Sequence, residues 1–285
     1  MDTGRLVLAE AVAAFQETLG ERVLAAYALG SLAHGGFDPL VSDVDLGLVL
    51  ADPLSPFDAE TIRRATEKVR AGGSVLHERL SVFWGTPSTL GGLVPGGRFP
   101  PLDRLDLIES GLLLEGEDCR RVVARPGRDE LLVAGAEFAL DFLGPGCGAA
   151  ASGGLGSLTP AGEDVMAEIR RPEEMVALGP RHLTKIVLFP VRFLFTAATG
   201  RMATNQAAVD HYVADGRSPS ARLVTAALSW RIAAPDNVPA TVELLEQELL
   251  PLYLHYIEDH RVRLAALGHV DLARAFEGWA TRLDA

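Results

Sequence analysis

The sequence predicts an α+β fold, in which an N-terminal domain with a small mixed sheet is followed by a C-terminal α-helical bundle. Three observations in the 285 residues predict this arrangement. Short apolar or β-branched runs, several of them bounded by glycine, occupy the first part of the chain and indicate strands. The run 124–127 contains a proline and a glycine and is typical of a linker. Beyond it, apolar residues recur with helical spacing, so we expect domains at 1–125 and 126–285.

The elements of the first domain follow from the spacing of its apolar residues. Leu8, Val12 and Phe15 share one helical face. A later helix begins near Asp58 and ends at the paired glycines 72–73. In order, we predict a helix over 5–19, strands over 23–29 and 44–50, the helix after Asp58, and strand-like runs over 77–84, 104–109 and 112–114.

The second domain has a helical pattern almost throughout. Its predicted helices span 128–143, 164–177, 181–199, 203–214, 218–233 and 239–283, the last with breaks at Pro251 and Gly268. A glycine-rich run, 144–158, lies between the first two helices. No strand precedes this run and no Gly-Lys-Ser/Thr follows it, so we interpret it as a flexible connector, with a lid over a ligand as the alternative.

The end of the first predicted strand has the chemistry of an anion site. Gly30 ends the apolar run 23–29, and Ser31 follows it. Glycine allows a phosphate to approach the backbone closely, and a serine hydroxyl adds a hydrogen-bond donor beside the amides of the next helical turn. We therefore predict a phosphate cradle here.

Two carboxylates follow in the next predicted strand. Asp43 and Asp45 alternate with Val44 and Leu46, so the acids share one face and the apolar side chains share the other. Two like charges about 4 Å apart repel by about 4 kcal/mol at an effective dielectric constant of 20. A divalent cation between them removes this cost, and Mg²⁺ prefers such oxygen ligands.

The run 30–45, with its His34-Gly35-Gly36 turn and with Ser42 directly before the acids, resembles the polymerase-beta-type nucleotidyltransferase superfamily. It is most similar to the aminoglycoside adenylyltransferases that act on streptomycin and spectinomycin. The alternative is a surface turn followed by an edge strand with two solvated aspartates.

The resemblance implies a third carboxylate on a neighbouring strand, as a metal ligand or as the general base for the attacking hydroxyl. Glu78, at the start of the run 77–84, is our candidate. In a strand, Glu78 would share a face with the apolar residues Leu80 and Val82, so the alternation alone does not indicate that it faces a site. Asp106 or Glu109 on the next strand-like run are alternatives, and Glu78 as an ordinary strand-end residue is another.

A second resemblance lies in the helical half. The run 185–210 is similar to the helix, Thr-Gly turn and next helix of the same adenylyltransferases. The resemblance implies that Arg192 faces the nucleotide phosphates, with an arginine that ties the two domains together as the alternative. Where the family often has a lysine after the Thr-Gly turn, this chain has Asn205, and Arg201 is the candidate substitute. Where the family has an acidic drug-binding residue, the run 178–182 of this chain has none. Four acids nearby are either substitutes or solvated surface residues: Glu163, Asp164, Glu173 and Glu174.

Charge and composition narrow the classes of partner. The net charge of −12 and the lack of a Lys/Arg cluster with interleaved aromatics disfavour a nucleic-acid partner. Two cysteines without metal or redox spacing indicate a reducing compartment. No signal pattern and no long uncharged apolar run appears, so we expect a cytoplasmic protein without a membrane partner.

Together these features predict a nucleotidyltransferase that uses ATP and requires Mg²⁺, with two ions expected at one site. Asp43, Asp45 and Glu78 are the predicted metal-binding and catalytic residues. Gly30, Ser31, Ser42, Arg192 and Arg201 are the predicted nucleotide-binding residues. The expected acceptor is the hydroxyl of an aminoglycoside-like small molecule, and antibiotic resistance is one biological role of such an activity. The alternatives are a protein or tRNA acceptor, as in toxin-like relatives, and a nucleotide-binding sensor without turnover.

Overall fold

A computed structural model describes residues 3–144, 165–214, 216 and 218–284. The chain divides into two compact units, Met1–Pro126 and Gly127–Ala285. The first unit contains a mixed sheet with helices, and the described part of the second is helical. The predicted α+β class is confirmed. The functional domains 1–125 and 126–285 stay a prediction, because compactness does not show that each folds or acts alone.

The sheet of the first unit has four strands. They are β1 (Val23–Leu29), β2 (Val44–Leu50), β3 (Leu80–Gly85) and β4 (Leu112–Gly116). Their spatial order is β3-β2-β1-β4. Strand β1 is antiparallel to β2 and β4, whereas β2 is parallel to β3. The register places Asp45 opposite Leu29 on one side and Ser81 on the other. The end of β1 therefore meets the beginning of β2.

Helices cover both faces of this sheet. They are α1 (Thr3–Leu19), α2 (Gly30–Ala33), α3 (Asp58–Arg70), α4 (Val75–Glu78), α5 (Pro87–Leu90) and α6 (Pro101–Glu109). On one face, Ala26 and Ala28 of β1 join a core that includes Phe15 of α1. On the other face, Tyr27 packs in a cluster with Leu107 of α6. Alternate side chains of β1 thus enter two different cores, as the two-residue period of a strand requires.

Two predicted strands are partly or wholly helical. Strand β3 begins only at Leu80, because Ser74 caps the helical turn α4, its Oγ accepting a hydrogen bond from the backbone N–H of His77 at 3.4 Å. The run 104–109 belongs to α6, which has Pro101 in its first turn, where the fixed φ of proline suits a helix. The predicted strand placements of Glu78, Asp106 and Glu109 were therefore wrong.

The second unit consists of helices packed around a large apolar core. They are α7 (Arg128–Phe142), α8 (Val165–Ile169), α9 (Pro172–Ala177), α10 (Pro180–Thr199), α11 (Asn205–Val213), α12 (Ala221–Trp230), α13 (Val238–Ala266) and α14 (Val270–Asp284). The predicted break at Gly268 is confirmed, but the break at Pro251 is wrong, because α13 runs through it. Leu252 and Tyr253, beside the proline, are fully buried, so packing stabilises the helix there. The predicted helix over 164–177 is interrupted before Pro172.

Two further sequence predictions concern the glycine-rich run and the membrane. The glycine-rich run 144–158 lies outside the described residues, apart from Gly144. None of the described helices has the length and apolar character needed to cross a membrane. The cytoplasmic location stays a prediction.

The ion pair between Arg22 and Asp58 connects the residue before β1 to the start of α3. The Asp58 carboxylate accepts hydrogen bonds from Arg22 Nη1 at 2.6 Å and from the backbone N–H of Ser55 at 2.7 Å. We expect Asp58→Asn to lower the free energy of unfolding by about 2 kcal/mol, because the pair is partly buried. Urea unfolding measures this change. The exposed pair of Glu67 with Arg63 is the control, and Glu67→Gln should cost less than about 0.5 kcal/mol. Equal losses in both variants would contradict the prediction.

Candidate active site

The residue directly after strand β1 is a glycine, and a side chain at this position would disrupt the turn. Gly30 has a φ of +59°, a left-handed conformation that glycine adopts without strain. A Cβ atom built on Gly30 would lie 2.5 Å from Oδ2 of Asp45, which is too close for non-bonded atoms. Because Gly30 has no Cβ, the carboxylate of Asp45 lies directly against the turn that ends β1.

Asp43 and Asp45 flank a buried residue at the start of β2. Asp43 directly precedes the strand and Asp45 lies within it, and both residues are half-buried. Val44 and Leu46 are fully buried in the core on the α1 side of the sheet. The structure thus brings Asp45 to the Gly30 turn and places Asp43 two residues before it. Their roles as metal ligands stay a prediction.

Ser42 closes the turn that leads into β2. Its Oγ accepts a hydrogen bond from the backbone N–H of Asp38 at 3.0 Å, and its own backbone N–H donates to the carbonyl of Asp38 at 2.8 Å. Ser42 is buried. These contacts fix the approach to Asp43, and the predicted contact of Ser42 with a nucleotide stays a prediction.

Strand β3 supplies no acidic side chain beside these aspartates. Its sequence is LSVFWG, and the residue paired with Asp45 is the buried Ser81. Glu78 lies at the end of α4 and is exposed. A third carboxylate on the neighbouring strand is therefore absent within β3. The role of Glu78 stays a prediction.

Helix α6 carries two further carboxylates, of which one contacts the Gly30 turn. Asp106 Oδ2 accepts a hydrogen bond from the backbone N–H of Gly30 at 2.6 Å, and Asp106 is buried. Asp103 lies one turn earlier, so the two acids share a face of the helix. Glu109, at the other end of α6, forms an ion pair with Arg125.

The charges around Asp103 act strongly on its carboxyl group. Burial, followed by the negative charges of Asp45 and Asp106, raises the pKa of Asp103 to about 8, and the positive charge of Arg98 opposes this shift. Burial lowers the pKa of Arg98 in turn. Its Nη1 donates to the carbonyl of Val82 at 2.7 Å, and its guanidinium lies over the Phe83 ring at 5.3 Å. The site thus holds concentrated negative charge beside one partly buried arginine.

Sequence reasoning missed Asp103 and Arg98. The signal for Asp103 is its spacing of three residues from Asp106, which places the two together only on a helix. Pro100 and Pro101 are a helix-start signal that favours this reading over a strand. Arg98 lies in an irregular segment. Among the residues that the structure describes, the bridge between Arg98 and Trp84 is the only β-type pairing of this segment.

The donor set suits a hard divalent cation. Within the described ranges, no three or more His, Cys, Asp or Glu side chains are grouped to hold a metal ion. Asp43 and Asp45 offer carboxylate oxygens, and negative charge from Asp45 and Asp106 already favours a proton on Asp103. A cation that took oxygen ligands from Asp43, Asp45 and substrate phosphates would offset this charge, which fits the preference of Mg²⁺.

The remaining predicted residues lie in the second unit. Arg192 is half-buried on α10, with its guanidinium 5.9 Å from the centre of the Phe189 ring. Arg201 is exposed and follows the left-handed Gly200 that ends α10, and its backbone N–H donates to Thr199 Oγ1 at 3.2 Å. Their predicted contacts with a nucleotide stay predictions.

Comparison with known proteins finds a likeness among solved structures but none in sequence. No family model and no curated protein matches the sequence. Among solved structures, the chain is similar to spectinomycin adenyltransferase AAD(9) from Enterococcus faecialis, solved with ATP and spectinomycin. The match covers 86% of this chain and 98% of that one, at 14% sequence identity and a TM-score of 0.49. A likeness of this strength carries neither family membership nor function to this chain.

The raised pKa of Asp103 makes stability depend on pH when EDTA removes metal ions. The folded protein holds a proton that an unfolded carboxyl, with a pKa near 4, has released, so folding takes up a proton between about pH 4 and 8. Stability therefore falls as the pH rises through this window. We expect Asp103→Asn to weaken the fall and to be at least about 1 kcal/mol more stable than the wild type at pH 8.5. Urea unfolding at pH 5.5 and 8.5 measures this, and parallel curves for the two proteins would contradict it.

Proposed function

We propose that the chain is a Mg²⁺-dependent nucleotidyltransferase that moves AMP from ATP to a hydroxyl of an aminoglycoside-like small molecule and releases pyrophosphate. The observation that carries the proposal is the contact of Asp45 with the Gly30 turn, with Asp43 two residues earlier. This geometry supports the phosphate cradle and paired carboxylates expected from the sequence of the run 30–45. The net charge of −12 suits a polycationic acceptor.

Ser31 is the proposed phosphate-binding side chain. The backbone N–H of Gly30 is already bonded to Asp106, so phosphate contacts at this turn fall to the Ser31 hydroxyl and to the amides after it. Gly30 contributes by allowing close approach, and Ser42 by fixing the turn before β2. Arg192 and Arg201 of the second unit are further proposed phosphate ligands, because a guanidinium fork matches phosphate oxygens.

Asp43 and Asp45 are the proposed ligands of the catalytic cation. When bound there, Mg²⁺ supplies positive charge beside the reacting phosphate and the departing pyrophosphate. A further carboxylate of the chain takes the proton of the acceptor hydroxyl as its oxygen bonds to the α-phosphorus. Glu78 and Asp103 are the two candidates. Asp103 is within electrostatic range of Asp45, and a cation bound at Asp45 would offset the negative charge that raises the pKa of Asp103, so that its carboxylate could accept the proton. Glu78 is exposed on α4.

Pyrophosphate release tests the proposed activity. Each nucleoside triphosphate is incubated with Mg²⁺ and with or without a panel of aminoglycosides. We expect release with ATP and one acceptor, and a loss of at least about 100-fold in Asp43→Asn and Asp45→Asn, because each removes charge stabilisation at the reacting phosphate. Label transferred from ATP to macromolecules in a lysate would instead indicate a protein or tRNA acceptor. ATP binding without release under any condition would indicate a sensor.

The identity of the proton acceptor is tested by two parallel substitutions. We expect Asp103→Asn to lower kcat by about 10²-fold or more, because it removes the general base, and Glu78→Gln to leave kcat within about 2-fold of the wild type. Steady-state kinetics with the acceptor found above gives both values, and the KM for ATP shows whether nucleotide binding is unaffected. A large loss in Glu78→Gln with an active Asp103→Asn would assign the role to Glu78.

A further inference from the structure

Asp106 contacts the backbone of the Gly30 turn from the side of α6. The bond from the Gly30 N–H to Asp106 Oδ2 is 2.6 Å long, as expected for a hydrogen bond assisted by charge. Asp106 is 4% exposed, and Leu105 and Leu107 beside it are fully buried. The carboxylate is therefore held in place by the packing of its own helix.

Two carboxylates are in contact with the same glycine. Oδ2 of Asp45 lies 2.5 Å from the position that a Cβ of Gly30 would take, and Asp106 binds the N–H of the same residue. Glycine has the widest choice of backbone conformations, so its own preferences do not fix the turn. The hydrogen bond to Asp106 restricts the rotation of this peptide. It therefore also restricts the position of the Gly30 backbone against which Asp45 packs.

The other carboxylate oxygen of Asp106, Oδ1, differs from Oδ2. Oδ1 is buried and has no hydrogen-bond partner among the described residues. A buried acceptor without a partner disfavours the folded state and calls for an explanation. Among the described residues, Asp106 therefore acts through Oδ2 alone, in its hydrogen bond with the Gly30 N–H.

We propose that Asp106 is a positioning residue, which holds the Gly30 peptide and thereby keeps the Asp45 carboxylate in its reactive orientation. This inference rests on the proposed function for its effect on turnover. It does not require Asp106 to touch a substrate. The bond to Gly30 is what matters, so a neutral side chain of the same length preserves the effect.

Two substitutions separate the hydrogen bond from the charge. Asp106→Asn keeps an oxygen that accepts from Gly30, whereas the shorter Asp106→Ser does not reach it. We expect Asp106→Ser to lower kcat by about 10- to 100-fold, with the KM for the acceptor unchanged, and Asp106→Asn to stay within about 3-fold of the wild type. Asp58→Ser is the matched control, because Asp58 is a buried carboxylate that also accepts from a backbone N–H, remote from Asp45 in sequence. It should lower the Tm without lowering kcat.

NMR gives a readout that does not depend on turnover. In protein labelled with [¹⁵N]glycine and [¹³C]aspartate, we expect Asp106→Ser to shift the Gly30 amide and the Asp45 carboxyl resonances, and Asp106→Asn to keep both near their wild-type positions. Unchanged Asp45 resonances in Asp106→Ser, or a loss of kcat in Asp106→Asn as large as in Asp106→Ser, would overturn the inference. A wild type without turnover contradicts the proposed function, while the resonances still decide whether Asp106 positions Asp45.

Discussion

The contact between the Asp45 carboxylate and Gly30 is the constraint on which the rest of the site depends. The antiparallel register of β1 and β2 places Asp45 opposite Leu29, and the glycine that follows has no Cβ to keep Oδ2 away. Any L-residue at Gly30 would meet both the carboxylate and a left-handed backbone. The sheet therefore determines where the acid lies, and the glycine allows it to lie there.

Helix α6 adds charge to this contact at a cost to stability. Asp103 and Asp106 bring two more carboxyl groups to a site that already contains Asp45, and Arg98 is the cation whose charge opposes them at Asp103. A protein optimised for stability alone would not concentrate acids in this way. Ionisable groups with strongly shifted pKa values are typical of functional sites. The cation proposed for Asp43 and Asp45 would offset this negative charge.

The sequence was sufficient where local chemistry determines the structure. The apolar run before Gly30, the alternation around Asp45 and the apolar face of α1 each have one clear period. Its signals for α6 conflict, because the apolar residues on either side of Asp106 fit a buried strand as well as a helix, whereas Pro100 and Pro101 indicate the start of a helix. The proximity of Asp103 to Asp45 depends on tertiary packing, which no spacing in the sequence reveals. Pro251 inside α13 is another case in which packing overrides local preference.

Calorimetric titration with ATP is the most direct test of the nucleotide site, because it requires no knowledge of the acceptor. We expect ATP to bind in the presence of Mg²⁺, and both EDTA and Asp45→Asn to weaken binding by at least about 10-fold. Glu67→Gln, an exposed substitution on α3, should bind as the wild type does. ATP that failed to bind, or that bound equally well without Mg²⁺ and in Asp45→Asn, would contradict the assignment of Asp43, Asp45 and the Gly30 turn as a nucleotidyl-transfer site.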